Sequence, residues 1–158
     1  MNIAKFDLDL ARSVLAAQPF SNLLGARLAA FGRDQGAVLE IPIREDLRQQ
    51  FGYVHGGVLS YAADNALTYA GATVLGPNVL TGGFTITYLR PADGKLLSAE
   101  ARVVGATRRQ AVCECSIYAV PESGDPVLCA VAQGTIRAVD RDLPGTDAPE
   151  PGPGIADA

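Results

Sequence analysis

The stretch that decides the fold is Gly52-Tyr53-Val54-His55-Gly56-Gly57-Val58-Leu59-Ser60-Tyr61-Ala62-Ala63-Asp64-Asn65-Ala66-Leu67-Thr68. It opens a helical segment over 55–75. On a helical wheel over 58–74, Val58, Leu59, Ala62, Ala63, Ala66, Leu67, Ala70 and Val74 share one half. Ser60, Tyr61, Asp64, Asn65 and Thr68 share the other, with Ser60, Asp64 and Thr68 stacked at successive turns. The apolar face is mostly alanine, which lets a sheet approach closely. The polar face carries no Lys, Arg or Glu, and its one carboxylate stands among small and amphipathic groups. A helix covered on both sides reads this way. A solvated position, or a pairing with a distant arginine, would also leave a lone carboxylate.

Two adjacent glycines at the helix start leave the first backbone N–H groups bare, at the positive end of the helix dipole. Such groups can hold a carbonyl oxygen as charge develops on it. Gly56 and Asp64 are separated by roughly 12 Å along a helix rising 1.5 Å per residue. One chain therefore cannot bring both to one carbonyl. A symmetric dimer with antiparallel helices can, and it creates two equivalent sites.

On either side of the helix the pattern is extended. Before it, Asp7–Ala17 reads as a short helix capped by Asp7 and ended by Pro19. Leu23–Phe31 and Ala37–Ile43 read as strands joined by a turn at Gly32–Gly36. After it, strands are expected over Thr81–Leu89, Leu97–Val104, Ala111–Val120 and Val127–Val139. Ala111, Cys113, Cys115, Ile117 and Ala119 form one apolar face of the third of these. Helix, two strands, one long helix and four strands indicate an α+β domain over 1–140, with 1–20 as its N-terminal helical part. The Pro/Gly-rich stretch 141–158 is expected to be a flexible tail.

The composition limits function as well. The chain has 158 residues, 48% hydrophobic and 19% charged, which suits one domain with a real core. A net charge of -4 disfavours nucleic acid and anionic membrane as partners. No run is long and apolar enough to span a membrane, and no signal core opens the chain. A cytoplasmic protein is expected. The three cysteines read as free buried thiols, and Cys113-Glu114-Cys115 without a nearby histidine is weak as a metal site.

The motif Gly52-x-x-His55-Gly56-Gly57-Val58-Leu59-x-x-Ala62-Ala63-Asp64-Asn65-Ala66, with Ile86-Thr87-Tyr88-Leu89-Arg90-Pro91-Ala92 after it, resembles the PaaI-like, 4-hydroxybenzoyl-CoA thioesterase group of hotdog proteins. The resemblance covers roughly 20–140. It implies a curved antiparallel sheet wrapped around one long helix, and homodimers that often pair into homotetramers. It implies hydrolysis of an acyl-coenzyme A, with coenzyme A as part of the substrate and no separate cofactor or metal. Gly56 would give its N–H to the thioester oxygen. Asp64 of the facing subunit would attack the thioester carbon or activate water. Gln49 and Thr68 match positions near the thioester and its water, and Thr81, with Gly82 beside it, lies where relatives place a Ser or Thr. The chain departs from the common pattern at Ala62-Ala63-Asp64, where many members carry Leu-Ala-Asp, and at Asn65, where Ser or Thr is common.

Several of these residues keep a second reading. His55 is a structural residue of the turn, with Gly57, or a catalytic base. Arg90, Arg108 and Arg109 hold coenzyme A phosphates or are solvated charges. Tyr53, Tyr61 and Tyr88 line an acyl pocket or pack. Two other functions compete with hydrolysis: a hotdog hydratase or dehydratase, which needs a catalytic histidine, and a non-catalytic acyl-CoA binding module.

Overall fold

The computed structural model describes residues 6–143. Two short helices, α1 (Leu8–Ala16) and α2 (Pro19–Leu24), precede the hairpin β1 (Arg27–Gly32) and β2 (Gly36–Pro42). A single 3-10 turn, Glu45–Leu47, leads to the long helix α3 (Gly56–Leu75). Four strands follow: β3 (Val79–Tyr88), β4 (Leu96–Ala106), β5 (Gln110–Val120) and β6 (Val127–Ala138).

The six strands form one antiparallel sheet in the order β1-β2-β4-β5-β6-β3. After β2 the chain crosses the concave face as α3, lays β3 along the far edge, and returns to put β4 beside β2. The helix packs against every strand. Its alanine face, Ala62, Ala63, Ala66 and Ala70, is fully buried against inward-facing Leu39, Ile41, Leu97, Ile117 and Ile136. The sheet comes close to the helix at Gly71, where an added Cβ would lie 2.7 Å from Cβ of Ile136. This is the hotdog arrangement, an α+β fold with the helix inside the curve of the sheet.

The N-terminal segment differs from the sequence reading. Asp7 caps α1, accepting from the Leu10 N–H at 3.1 Å. Pro19 does not merely end that helix. It occupies the first turn of a second one, where its missing N–H costs nothing. Residues 23 and 24 therefore belong to α2, and β1 starts only at Arg27. The β1–β2 turn comes where expected. Gly36 has φ +68, and a side chain there would run into the Ala101 carbonyl of β4. The proline- and glycine-rich stretch expected to be a flexible tail lies, from residue 144 on, outside the described residues.

β3 carries a bulge that matters for the site. Thr81 pairs with Ile136 and Gly83 with Thr135, which leaves Gly82 as the extra residue. Side chains normally alternate along a strand, so inserting one residue changes which positions face inward. Val79 and Thr81 face α3 before the bulge, and Phe84 and Ile86 after it. The strand's outer edge has no partner among the described residues.

Candidate functional site

Two clefts open along α3. The first, of about 360 Å³, is lined in part by Asp64. Ser60, Tyr61 and Asn65 of α3, Phe84 of β3, and Gln18, Phe20 and Ser21 from the α1–α2 junction complete its wall. Asp64 is half-buried. Its Oδ1 accepts the Thr81 hydroxyl at 2.6 Å. The Thr68 hydroxyl donates to the Asp64 backbone carbonyl at 2.8 Å and lies 2.7 Å from Thr81 Oγ1. Three short contacts thus share two hydroxyl hydrogens. With Asp64 ionised, the Thr81 hydrogen lies on the carboxylate. The Thr68 hydrogen is divided between the Asp64 carbonyl and Thr81. The arrangement fixes one carboxylate oxygen and leaves Oδ2 without a hydrogen bond among the described residues.

The second cleft, of about 340 Å³, lies at the helix start and includes Gln49, Tyr53, Gly56, Leu59, Tyr88 and Arg90. His55 is the N-cap of α3, and its Nδ1 accepts the Gly57 N–H at 2.8 Å. That bond uses the Nδ1 lone pair and leaves Nε2 to carry the ring hydrogen. The Val58 N–H reaches the His55 carbonyl at 2.9 Å. Of these first-turn donors, the Gly56 N–H alone has no partner among the described residues. The expectation of a bare glycine pair thus narrows to one amide, because His55 uses the other. Tyr88 braces the same turn. Its hydroxyl donates to the Gly56 carbonyl at 2.8 Å and meets Ser60 Oγ at 2.8 Å, and a Cβ on Gly56 would lie 3.3 Å from its ring.

The loop before the helix is built around its own polar groups. The Gln49 side-chain oxygen accepts from the Phe51 N–H, and the Gln49 N–H donates to the Tyr53 carbonyl at 2.8 Å. Arg48 ties the loop down, donating to the Gly52 carbonyl and, at 2.8 Å, to Asp93. The Arg48 guanidinium and the Gly94 N–H hold the Asp93 carboxyl below its ordinary range.

The structure thus sorts the expected site residues into groups. Asp64, Thr68 and Thr81 come together, and so do Gln49, Gly56 and Arg90. Gly82 is the bulge residue, and a Cβ on it would lie 3.1 Å from Nε of Arg137. Arg90 donates to the Leu128 carbonyl at 2.7 Å. Arg108 and Arg109 sit in the β4–β5 turn, at the end of the sheet where β3 begins. β3 runs about 30 Å from there to Tyr88 at about 3.3 Å per residue, so within one chain this turn is remote from Gly56. Arg109 pairs with Asp140 at 3.3 Å, whereas Arg108 has no partner among the described residues.

Phe84 of β3 was not assigned from sequence, and neither were three contributors from the α1–α2 junction: Gln18, Phe20 and Ser21. The latter three reach the Asp64 cleft only because of α2. Tyr61 donates to Ser21 Oγ, and burial is the main reason its phenol is raised from the ordinary value. Tyr69, deeper in the same helix, is raised for the same reason. The Pro19-Phe20-Ser21 run was the available signal, since proline at a first helical turn starts a helix as readily as it ends one.

Known proteins of this shape bear on these observations. Residues 51–123 match the family model described as the thioesterase superfamily. A protein of Halobacterium salinarum, named for a proposed esterase activity, is 34% identical over 108 residues, covering 63% of this chain and 71% of that protein. The crystal structure of a thioesterase family protein from Silicibacter pomeroyi superposes with a TM-score of 0.69 at 30% identity, covering 81% of this chain and 94% of that one. A mutant of the phenylacetic acid degradation protein PaaI from Thermus thermophilus superposes with a TM-score of 0.66 at 29% identity, covering 77% and 100%. With a hotdog fold, a matching family model and relatives of this extent, the chain belongs to the thioesterase superfamily, and PaaI proteins are among its structural neighbours.

Proposed function

We propose that the protein is an acyl-coenzyme A thioesterase in which Asp64 supplies the oxygen nucleophile, or activates water, and Gly56 receives the oxyanion. The observation that carries this reading is the pairing of one uncommitted first-turn amide, at Gly56, with a half-buried carboxylate whose orientation Thr81 fixes. Ester and thioester hydrolysis needs an activated oxygen and donors aimed at the developing oxyanion. Both groups are left open among the described residues.

The two groups belong to different clefts of one chain, with no lining residue in common. A homodimer with antiparallel α3 helices brings the Gly56 cleft of one subunit to the Asp64 cleft of the other. The unpaired outer edge of β3 supports that association, because an open strand edge is a template for a second strand. The same pairing carries the Arg108–Arg109 turn of one subunit toward the helix start of its partner. There the free Arg108 guanidinium would be available to a phosphate of coenzyme A. Arg90 and Gln49 would line the path of the pantetheine arm.

The reaction then runs as acyl transfer. Asp64 Oδ2, or a water it deprotonates, adds to the thioester carbon. The Gly56 N–H holds the oxyanion, and collapse expels the coenzyme A thiolate. If Asp64 adds directly, water then hydrolyses the mixed anhydride to release the acid. The hydratase reading loses support because the sole histidine is spent capping Gly57.

The test is a thiol-release assay on a panel of acyl-CoA esters. Asp64→Asn should keep the fold and lose most turnover. Gly56→Pro removes the N–H at a position where proline suits the helix start and should lower kcat by about a hundredfold or more, whereas Gly56→Ala, which makes the same 3.3 Å contact with Tyr88 but keeps the N–H, should lose far less. Asp64→Asn and Gly56→Pro should each be nearly inactive alone. Mixing and reassembling the two should restore up to about a quarter of the activity, because each heterodimer regains one of two equivalent sites. Near-normal turnover by Asp64→Asn, or no recovery on mixing, would overturn the shared-site mechanism.

A further inference from the structure

The cleft over Asp64 is bounded on one side by the α1–α2 junction, and hydrogen bonds tie that wall to the core. Tyr61 donates to Ser21 Oγ at 2.6 Å, and Ser21 donates to Gln18 Oε1 at 2.6 Å. The Gln18 amide then reaches toward the hydroxyl of buried Tyr69 at 3.4 Å. The donors all run one way, from the cleft into the core. Each hydroxyl has one hydrogen, so neither Tyr61 nor Ser21 has one left for a ligand. Phe20 stands edge-on to Tyr61, with ring centroids 5.4 Å apart at 83°. Ser21 is 1% exposed, whereas Phe20 is 58% exposed. The α1–α2 side of the cleft thus presents two aromatic rings and hydroxyls already committed elsewhere.

We infer that this wall sets the size of the acyl group: Phe20 and Tyr61, tethered through Ser21 and Gln18, admit a short chain or a single ring and stop a long chain. The inference rests on the thioesterase reading and adds a specificity determinant to it. A longer acyl group must push α2 aside, which breaks the Tyr61–Ser21–Gln18 bonds. Compact apolar groups fit between Phe20, Tyr61 and Phe84 without that disturbance. Phe20 and Tyr61 act on the choice of substrate and not on the acid or the amide, so their replacement should change which ester is preferred.

The measurement is kcat/KM on acetyl-, hexanoyl-, phenylacetyl- and palmitoyl-CoA, made on the full chain and on Phe20→Ala, Tyr61→Ala and Tyr61→Phe. The readout is the palmitoyl-to-hexanoyl ratio within each protein. Any loss of folded enzyme cancels in that ratio. The unaltered protein should favour hexanoyl- and phenylacetyl-CoA over palmitoyl-CoA. Phe20→Ala and Tyr61→Ala should raise the ratio about tenfold or more, the scale at which a pocket discriminates by size. Tyr61→Phe keeps the ring but unties Ser21, and should move the ratio the same way by less. A preference for palmitoyl-CoA in the unaltered protein, or ratios that do not move in any variant, would overturn the inference while leaving the thioesterase reading intact. No hydrolysis of any ester by the unaltered protein would overturn both.

Discussion

The two threonines at Asp64 should contribute unequally. Thr81 donates its only hydroxyl hydrogen to the carboxylate at 2.6 Å. Thr68 divides its hydrogen between the Asp64 carbonyl at 2.8 Å and Thr81 at 2.7 Å. Thr81→Val keeps the shape and removes a hydrogen bond to a charged group. Such a bond is worth about 1.5–3 kcal/mol when buried, and half-burial here argues for the lower end, about 1–2 kcal/mol. Thr68 then keeps its bond to the Asp64 carbonyl but loses its contact with Thr81, which adds about 0.5 kcal/mol to that cost. Thr68→Val removes a neutral bond and leaves the Thr81–Asp64 bond in place, at a cost of about 0.5–1 kcal/mol. The double variant should cost less than the sum by about 0.5 kcal/mol, because the Thr68–Thr81 contact disappears with either change. Urea denaturation of the four proteins measures all three quantities. Under the proposed reading, kcat should fall in the same order with KM little changed. A cost for Thr68→Val equal to or above that of Thr81→Val, or strict additivity, would refute this sharing of hydrogens.

Three other outcomes follow from particular contacts. Gly71→Ala gains about 1 kcal/mol of helix propensity. It also forces a methyl to within 2.7 Å of fully buried Ile136, whose branched side chain has little freedom to yield. Overpacking of this kind costs about 1–3 kcal/mol, so the melting temperature should fall by a few degrees; an unchanged or higher value would refute the close approach. Burial pushes the Cys113 thiol up to about 11 and the Cys115 thiol up to about 12, the latter also raised by nearby Glu100. Little thiolate forms near pH 8, so Ellman's reagent should react slowly with the native protein and titrate all three thiols in guanidinium. Asp93 is held below its unfolded value by Arg48, so it stabilises the fold above the unfolded pKa of about 3.9 and loses that contribution as pH falls through the lower folded value. The stability difference between the unaltered protein and Asp93→Asn, from urea melts, should be constant near neutral pH and shrink only on the acid side; a difference independent of pH would refute the pairing.

The interior of the fold was legible because its residues repeat with a definite period. The alanine face of α3 and the alternation over Ala111–Ala119 mark the same core from both sides, and both are buried as those patterns require. The segment Leu23–Phe31 was misread because six residues give helical periodicity no room to show, and Pro19 has two local meanings. Asp64 stood out in the sequence because its helix face lacks other charges. Its partner Thr81 followed from the resemblance, since a threonine in a strand says nothing about what it meets. The use of His55 as a cap could not be read in advance. A histidine two residues before a glycine N–H offers a ring nitrogen only when the backbone turns to receive it, and the turn is a three-dimensional fact. The wall at Ser21 was hidden for a related reason: its bonds join residues 40 positions apart.

The extra residue at Gly82 has a consequence for which changes the strand can tolerate. Thr81 sits at an odd position of β3, while Phe84, Ile86 and Tyr88 sit at even ones, and a regular strand presents only one parity to its helix. Deleting one of the two glycines would force a choice. Either the hydroxyl would keep its carboxylate and the rings would swing to the convex side, or the rings would stay and the acid would lose its anchor. Many substitutions can be absorbed along this edge, but a change of length by one residue cannot.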